Sequence, residues 1–270
     1  MTAATLPCLQ IGTHTILALT DGVGPFFAPR VEAFPDATPE QWAAADRFDP
    51  GSVEPDGGWR LQFRAFAILG DKGVTIVDAG IGPADGPAAS WAPVPGALPD
   101  QLEAADIDRA DVHNVVITHL HTDHVGWAVT GADAEPFFPN AEYLLQRAEV
   151  DAIEHINPQL GDALVEPLRR AARLRLLDGD VPLPTGERVV ATPGHTPGHQ
   201  SVLVAAGRDL AAVTGDLLVH AIQLLYSDLG YAYEMDAETA RRSREQVFGV
   251  DAATRLHLAT PHLTEPFVTR

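Results

Sequence analysis

The chain predicts an α/β protein whose sheets are covered by helices. Three observations carry that expectation. Short apolar, β-branched runs of strand length recur in both halves, as in Val115-Val116-Ile117-Thr118 and at 188–191 and 210–213. Segments with helix-start chemistry alternate with them. Histidines and aspartates gather just past the ends of those runs, the edge where sites collect in α/β folds. No composition shift marks a linker, so residues 1–270 read as one domain.

Taken in order, a first strand is expected at 13–19, broken by Asp21-Gly22-Val23-Gly24-Pro25. Residues 24–60 are rich in proline and aromatics, among them Phe26, Phe27, Phe34, Trp42, Phe48 and Trp59. So long a connection is usually functional, and this one is read as a cap or insertion over the site groove. Within it Thr38-Pro39-Glu40-Gln41 is a helix start, with Thr as N-cap, Pro at the first helical position and Gln closing the capping box. Strands are expected at 61–69 and 74–77, joined by Gly70-Asp71-Lys72-Gly73 and closed by Asp78-Ala79-Gly80. A Pro/Gly/Ala loop at 83–99 carries Trp91, and Asp100 is expected to cap a short helix with Glu103. Further strands are expected at 143–146, 174–177, 188–191, 201–205, 210–213 and, as the last, 255–259. Residues 147–173 read as mostly helical with breaks near Pro158 and Gly161, and Asp236 caps a helix ending near Gly249.

The 270 residues are 46% hydrophobic and 20% charged, with a formal net charge of −19. That balance argues against a phosphate-tracking surface, so nucleic acid is not an expected partner. The arginines at 169, 170, 173 and 175 read as a solvated helix face. Cys8 is the single cysteine, which rules out an intrachain disulfide and a cysteine-clustered zinc site. Residues 1–10 lack a basic and an apolar signal region, and no apolar run reaches membrane-spanning length. A cytoplasmic location without membrane association is the expectation.

The chemistry concentrates in His119-Leu120-His121-Thr122-Asp123-His124. Imidazoles and a carboxylate crowded at a strand end are costly to gather without a metal. Three more sites extend the cluster: His195 in the stiff turn Thr192-Pro193-Gly194-His195-Thr196-Pro197-Gly198-His199, Asp216 after the strand at 210–213, and His262 after the strand at 255–259. Five imidazoles and two carboxylates suit zinc, manganese, cobalt or iron, whereas calcium prefers oxygen ligands. Seven side chains exceed the need of one four-coordinate ion; two ions about 3.5–4 Å apart use them all. Residues 119 and 121 alternate along an extended chain and can serve one ion while Asp123 and His124 serve another.

These residues resemble the metallo-β-lactamase superfamily. The chain carries HxHxDH as His119-x-His121-x-Asp123-His124, followed in family order by His195, Asp216 and His262, with Asp78-Ala79-Gly80 matching the early DxG motif. The resemblance covers about residues 11–264 and implies a four-layer αββα sandwich with metals in a groove at one sheet edge. Carried over, it implies that His119, His121 and His195 hold a first metal, Asp123, His124 and His262 a second, and that Asp216 bridges them. Asp78 is then expected to orient a ligand by accepting its hydrogen bond, and His199 to stand behind the ligands. Zinc is the expected metal, with manganese, cobalt or iron as alternatives.

The mechanism so implied is hydrolysis by a metal-bridging hydroxide, because binding lowers the pKa of water from 15.7 to about 7. Asp123 is expected to take up or pass on a proton. Within the family, β-lactamases generally lack the aspartate seen here at 216, glyoxalase II enzymes carry a glutathione-binding extension, and RNA-processing members need basic surfaces. The pattern is nearest the lactonase and organophosphate (methyl parathion) hydrolase branch. The expected substrates are small-molecule esters, lactones or phosphotriesters. Many of these lactonases place a tyrosine three residues after the bridging aspartate. Here Val219 stands there, followed by His220, either a substitute hydrogen-bond donor or a packing residue. Tyr226, Tyr231 and Tyr233 are expected near the groove, and a homodimer is expected from the pairing habits of such hydrolases. Two rivals are a mononuclear iron persulfide dioxygenase and a non-catalytic metal-binding protein.

Overall fold

The computed structural model describes residues 6–270, so the first half of the segment 1–10 lies outside the described residues. A seven-stranded sheet has the order β1 (Cys8–Ile11), β2 (His14–Pro25), β3 (Arg60–Gly70), β4 (Gly73–Val77), β5 (Val112–Val116), β8 (Glu142–Gln146), β9 (Leu174–Leu177). The small hairpin of β6 (Val129–Thr130) and β7 (Glu135–Pro136) stands apart from it. A six-stranded sheet runs β10 (Val181–Pro182), β11 (Arg188–Ala191), β12 (Gln200–Ala206), β13 (Asp209–Val213), β14 (Arg255–Ala259), β15 (Phe267–Thr269). Hairpin neighbours are antiparallel; β4–β5, β5–β8, β8–β9 and β13–β14 are parallel and need crossovers.

Alternation along the strands makes each sheet two-faced. Ile16, Phe66, Val77, Val116 and Leu144 of the first sheet meet Val189, Val202, Ala211, Val213 and Ala259 of the second in one core. The outer face of the first sheet buries Ile76, Val115 and Leu145 against Leu98, Leu102, Leu164 and Leu168. That of the second buries Ala212, Leu256 and Leu258 against Leu224 and Val247. The result is the expected four-layer αββα sandwich, with β4, β5, β11, β13 and β14 all delivering their C-terminal ends to one edge.

Three local expectations need correction. The first strand does not stop before Asp21: β2 continues to Pro25 through a bulge between Thr20 and Gly22. The bulge diverts the Asp21 carboxylate from the ladder to the backbone N–H groups of Ile81 at 2.6 Å and Leu98 at 2.5 Å. That second bond also explains why Asp100 is not a cap. The helix Leu98–Ala104 begins after Ala97, with proline in its first turn, and its open N-terminus is satisfied by Asp21 from a distant strand. Finally, the strand at 255–259 is not the last, because β15 pairs with it antiparallel. The capping box at Thr38 forms as expected, with Gln41 N–H on Thr38 Oγ1 and Thr38 N–H on Gln41 Oε1. The segment 147–173 is helical in short pieces, Arg147–Asp151, Ile153–Ile156 and Glu166–Arg170 with a π-turn at Gly161–Val165.

Residues of 24–60 form their own cluster: Phe26, Phe34, Trp42 and Trp59 pack with Val219, Ile222 and Tyr231. Among the described residues no helix is long and apolar enough to cross a membrane.

Candidate metal centre

All seven sequence-identified donors meet at the shared strand edge. After β5 the chain leaves the sheet at Ile117, and the short helix Thr122–Val125 turns Asp123 and His124 back towards His119 and His121. His195 arrives on the turn after β11. Gly194 there has φ +129°, and a Cβ on it would stand 2.1 Å from Ala240 N, so the turn presses directly on the helix Ala237–Phe248. Asp216 sits in a single 3₁₀ turn after β13, and His262 follows β14.

Two groups of donors each bring their ligand atoms within 4.8 Å of one another: His119, His121, His195 and Asp216, and Asp123, His124 and His262. In the first, His121 Nδ1 lies 2.9 Å from His119 Nε2 and 3.0 Å from His195 Nε2. Asp216 faces both groups. Its Oδ2 is 3.2 Å from His195 Nε2 and 3.7 Å from His119 Nε2, while its Oδ1 is 3.0 Å from His262 Nε2 and 3.2 Å from His124 Nε2.

The histidine tautomers are set from behind. His124 Nδ1 donates to Asp78 Oδ2 at 2.8 Å and His262 Nδ1 to the Gln62 carbonyl at 2.8 Å, which turns each Nε2 inward. Asp78, at φ +63°, is itself held by Thr118 N–H at 2.7 Å and Thr118 Oγ1 at 3.0 Å. His199 lies behind His119 and His195, its Nδ1 against Thr192, and belongs to neither donor group. Burial, then the neighbouring imidazoles, pushes His119 and His121 well below the ordinary histidine range. Burial opposes the charge on His124 too, but Asp123, Asp216 and Asp78 outweigh it and raise that ring; Asp216 and Asp123 do the same for His262.

The chemistry of the donor set suits cations. Buried, unpaired ring nitrogens are costly, yet His124 Nε2, which faces the carboxylates of Asp123 and Asp216, makes no well-aligned hydrogen bond. Five imidazoles and two carboxylates at this edge have the chemistry of a metal-binding cluster.

The cluster floors a cavity of ≈ 520 Å³. His121, Asp123, His195, Asp216 and His262 line its base, and Phe26, Phe27, Trp59, Trp91, Tyr231 and Tyr233 its walls. None of its lining side chains is Lys or Arg. Tyr231 lies nearly parallel to His195, 16° between planes with centroids 6.0 Å apart.

Of the ten residues singled out from sequence, His220 alone stands away from this assembly. Its ring is 1% exposed, 4.9 Å from Trp59, 5.3 Å from Trp42 and 5.7 Å from Phe34. Its Nδ1 accepts from Ile222 N–H at 3.1 Å, capping the helix Ala221–Leu225. Burial, then the charge of Arg30, lowers it to about 3. Two supporting residues were not anticipated. Arg64 donates to the carbonyls of Leu263 and, at 2.6 Å, Thr264, gripping the His262 loop. Glu149 accepts from Leu120 N–H at 2.7 Å and Gly198 N–H at 2.8 Å, tying the two histidine loops together. The only sequence signal for Arg64 is a lone charge inside the apolar run of β3; Glu149 has none.

Residues 60–257 match the description Metallo-beta-lactamase superfamily. The chain belongs to that superfamily. Curated relatives include an N-acyl homoserine lactonase of a Bacillus species, 33% identical over 103 residues, 38% of this chain and 37% of that one. Another is the N-acyl homoserine lactonase AttM of Azorhizobium caulinodans, 35% identical over 159 residues, 52% of this chain and 58% of the relative. The matches thus span well under two thirds of these relatives' length. The superfamily fold is shared with AidC, a dizinc quorum-quenching lactonase solved with a product: TM-score 0.77, 21% identity, 97% of this chain and 91% of that one. The hydrolase AbOPH matches with TM-score 0.75 and 23% identity over 97% of this chain and 91% of its own.

Proposed function

We propose that this protein is a dinuclear metal-dependent hydrolase of small, uncharged esters and lactones, with phosphotriesters as further substrates. The observation that carries this reading is the two-sided placement of Asp216, one carboxylate oxygen towards each donor group. His119, His121 and His195 would hold one ion, Asp123, His124 and His262 the other, and Asp216 both. Two bound divalent ions, zinc by preference, would supply Lewis acidity and a hydroxide near neutral pH.

The chain's own groups do the rest. Asp123 lines the cavity base, where its carboxylate can take a proton or pass one to a leaving group. The Tyr231 hydroxyl, held protonated by burial and by the charges of Asp216 and Asp123, is a hydrogen-bond donor for a substrate oxygen. The aromatic walls exclude water and favour apolar substituents. Without a lysine or arginine in the lining, and on a chain of net charge −19, the cavity disfavours anions. Residues 24–60 act as its cap, contributing Phe26, Phe27 and Trp59. A single domain, a homodimer and a cytoplasmic setting belong to the same proposal. The lactonase names of the sequence relatives support the ester and lactone part.

The test is a panel of esters, lactones and phosphotriesters, run on zinc-, manganese- and cobalt-loaded protein beside Asp216→Asn. Turnover is expected in the wild type and a fall of about 100-fold or more in the variant. Equal rates would remove the bridging role. About one iron per chain with oxygen uptake would replace hydrolysis by the dioxygenase alternative.

A further inference from the structure

Behind the aromatic wall lies a buried ion pair that no ligand role explains. Arg244, on the helix Ala237–Phe248, is 0% exposed, and its Nη1 donates to Glu234, whose side chain is 1% exposed. Arg244 Nε reaches the Ser227 carbonyl at 3.4 Å, and its Nη2 has no partner. Glu234 is wired to the cavity. Its Oε2 accepts from Tyr231 N–H at 3.3 Å, and its Oε1 accepts from Gln223 Nε2 at 3.3 Å. Gln223 in turn accepts from the N–H of the lining residue Val219 at 3.0 Å. The next two residues clamp the histidine turn, Met235 N–H on the His195 carbonyl at 3.1 Å and Asp236 N–H on that of Gly194 at 2.9 Å.

A buried ion pair is a weak stability device. Desolvation offsets much of the attraction, and apolar replacements of similar volume are often neutral or stabilising. Here the pair is incompletely satisfied, yet it joins the backbone of two cavity residues to the helix that presses on the His195 turn. We propose that the Arg244–Glu234 pair is a positioning device for the reaction. It fixes Tyr231 over His195 and acts on turnover through that ring. The inference rests on the hydrolase reading above.

The test uses metal-loaded protein carrying Glu234→Leu and Arg244→Met together, which removes both charges and leaves none unpaired. Metal stoichiometry is expected to stay at the wild-type value, while the acceptor lost to Tyr231 N–H and Gln223 Nε2 lowers the melting temperature by only a few degrees. The kcat/KM for an aryl ester is expected to fall ~10–100-fold, the scale of small misplacements. Quenching by a neutral nitroaromatic, 4-nitrobenzyl alcohol, of the part of the tryptophan fluorescence contributed by the cavity residues Trp59 and Trp91, read against a Trp42→Phe, Trp127→Phe background, should weaken in parallel. On a Tyr231→Ala background the same pair of changes should add little further loss. Wild-type kcat/KM and quenching in the double variant, or a full multiplicative loss on Tyr231→Ala, would overturn the inference. Should the double variant not fold, Glu234→Gln keeps the size and removes the charge. A loss that vanishes on Tyr231→Ala supports positioning, and an equal loss on both backgrounds refutes it. A wild type that hydrolyses nothing in the panel sinks the hydrolase reading, while the quenching comparison still tests the pair.

Discussion

Asp216 and His220 are four residues apart, and both are buried at the same edge of the second sheet, but their surroundings differ in kind. Around Asp216 stand four imidazoles within 3.7 Å, two of which also face Asp123, and one of their inward nitrogens, His124 Nε2, is left without a well-aligned hydrogen bond. Around His220 stand Phe34, Trp42 and Trp59; Nδ1 is spent on capping a helix, and Nε2, also without a hydrogen bond, belongs to neither donor group. The first environment is a poor solution to folding and a good one to holding cations. The second answers to packing and capping, and its single unpaired nitrogen faces aromatic rings rather than other donors. Burial of a titratable group therefore marks function only when its neighbours share an unmet demand.

The largest effect expected from that contrast is on metal removal. A chelator should abolish turnover and lower the melting temperature, and added zinc should restore both. At a free-ion concentration a thousand times Kd each site contributes about 4 kcal/mol. A melting temperature indifferent to chelator and to zinc would mean that the Asp216 environment answers no such demand.

A smaller effect is expected one bond further out. Asp78→Asn retains an oxygen for one of its partners but presents an amide to another, so Thr118 N–H and His124 Nδ1 compete for the remaining acceptor. Outer partners of this kind are worth 10–100-fold in metal affinity, so a loss of about that size is expected. Cobalt titration followed by absorbance would show it, and an unchanged second binding step would detach Asp78 from the cluster.

How much of this was legible in the sequence follows from the same contrast. Histidines and aspartates at strand ends, in the order of the superfamily motif, make His119 to His124, His195, Asp216 and His262 stand out as candidate ligands, and Asp78 with them. What decides the cavity is spread thinly along the chain. Tyr231 and Tyr233 line the cavity as expected and Tyr226 does not. That Tyr231 stacks on His195, and that Trp91 meets Thr122 through a 3.0 Å hydrogen bond, follows only from loops folding over one another. Arg64 and Glu149 act on backbone groups, which carry no residue signature. The misplaced end of β2 and the misassigned cap at Asp100 share one cause, the Asp21 carboxylate, whose partners lie 60 and 77 residues away. Local turn and cap chemistry was overridden by a tertiary contact. His220 was ambiguous because a histidine beside a candidate ligand reads the same whether it faces the cavity or an aromatic box.

The smallest effect on turnover is expected at His220, and its pH behaviour sharpens the contrast most. The folded-state value of about 3 lies below the ordinary 6.5, so the unfolded chain binds a proton that the folded chain refuses. The stabilisation is complete above pH ~6.5 and is lost as pH falls towards ~3, by about 3 kcal/mol between pH 6.5 and 4. His220→Phe removes that loss. It also removes the cap on Ile222 N–H, a pH-independent cost of about 1 kcal/mol. In chelator-treated protein the other histidines titrate in both variants, so the difference between the two urea-midpoint profiles isolates this ring. The variant should be slightly less stable at pH 7, decline less steeply into acid, and, reloaded with metal, keep the wild-type kcat/KM. Parallel profiles would mean that the ring is not held neutral by its aromatic neighbours, and a collapse of kcat/KM would return His220 to the chemistry from which its position separates it.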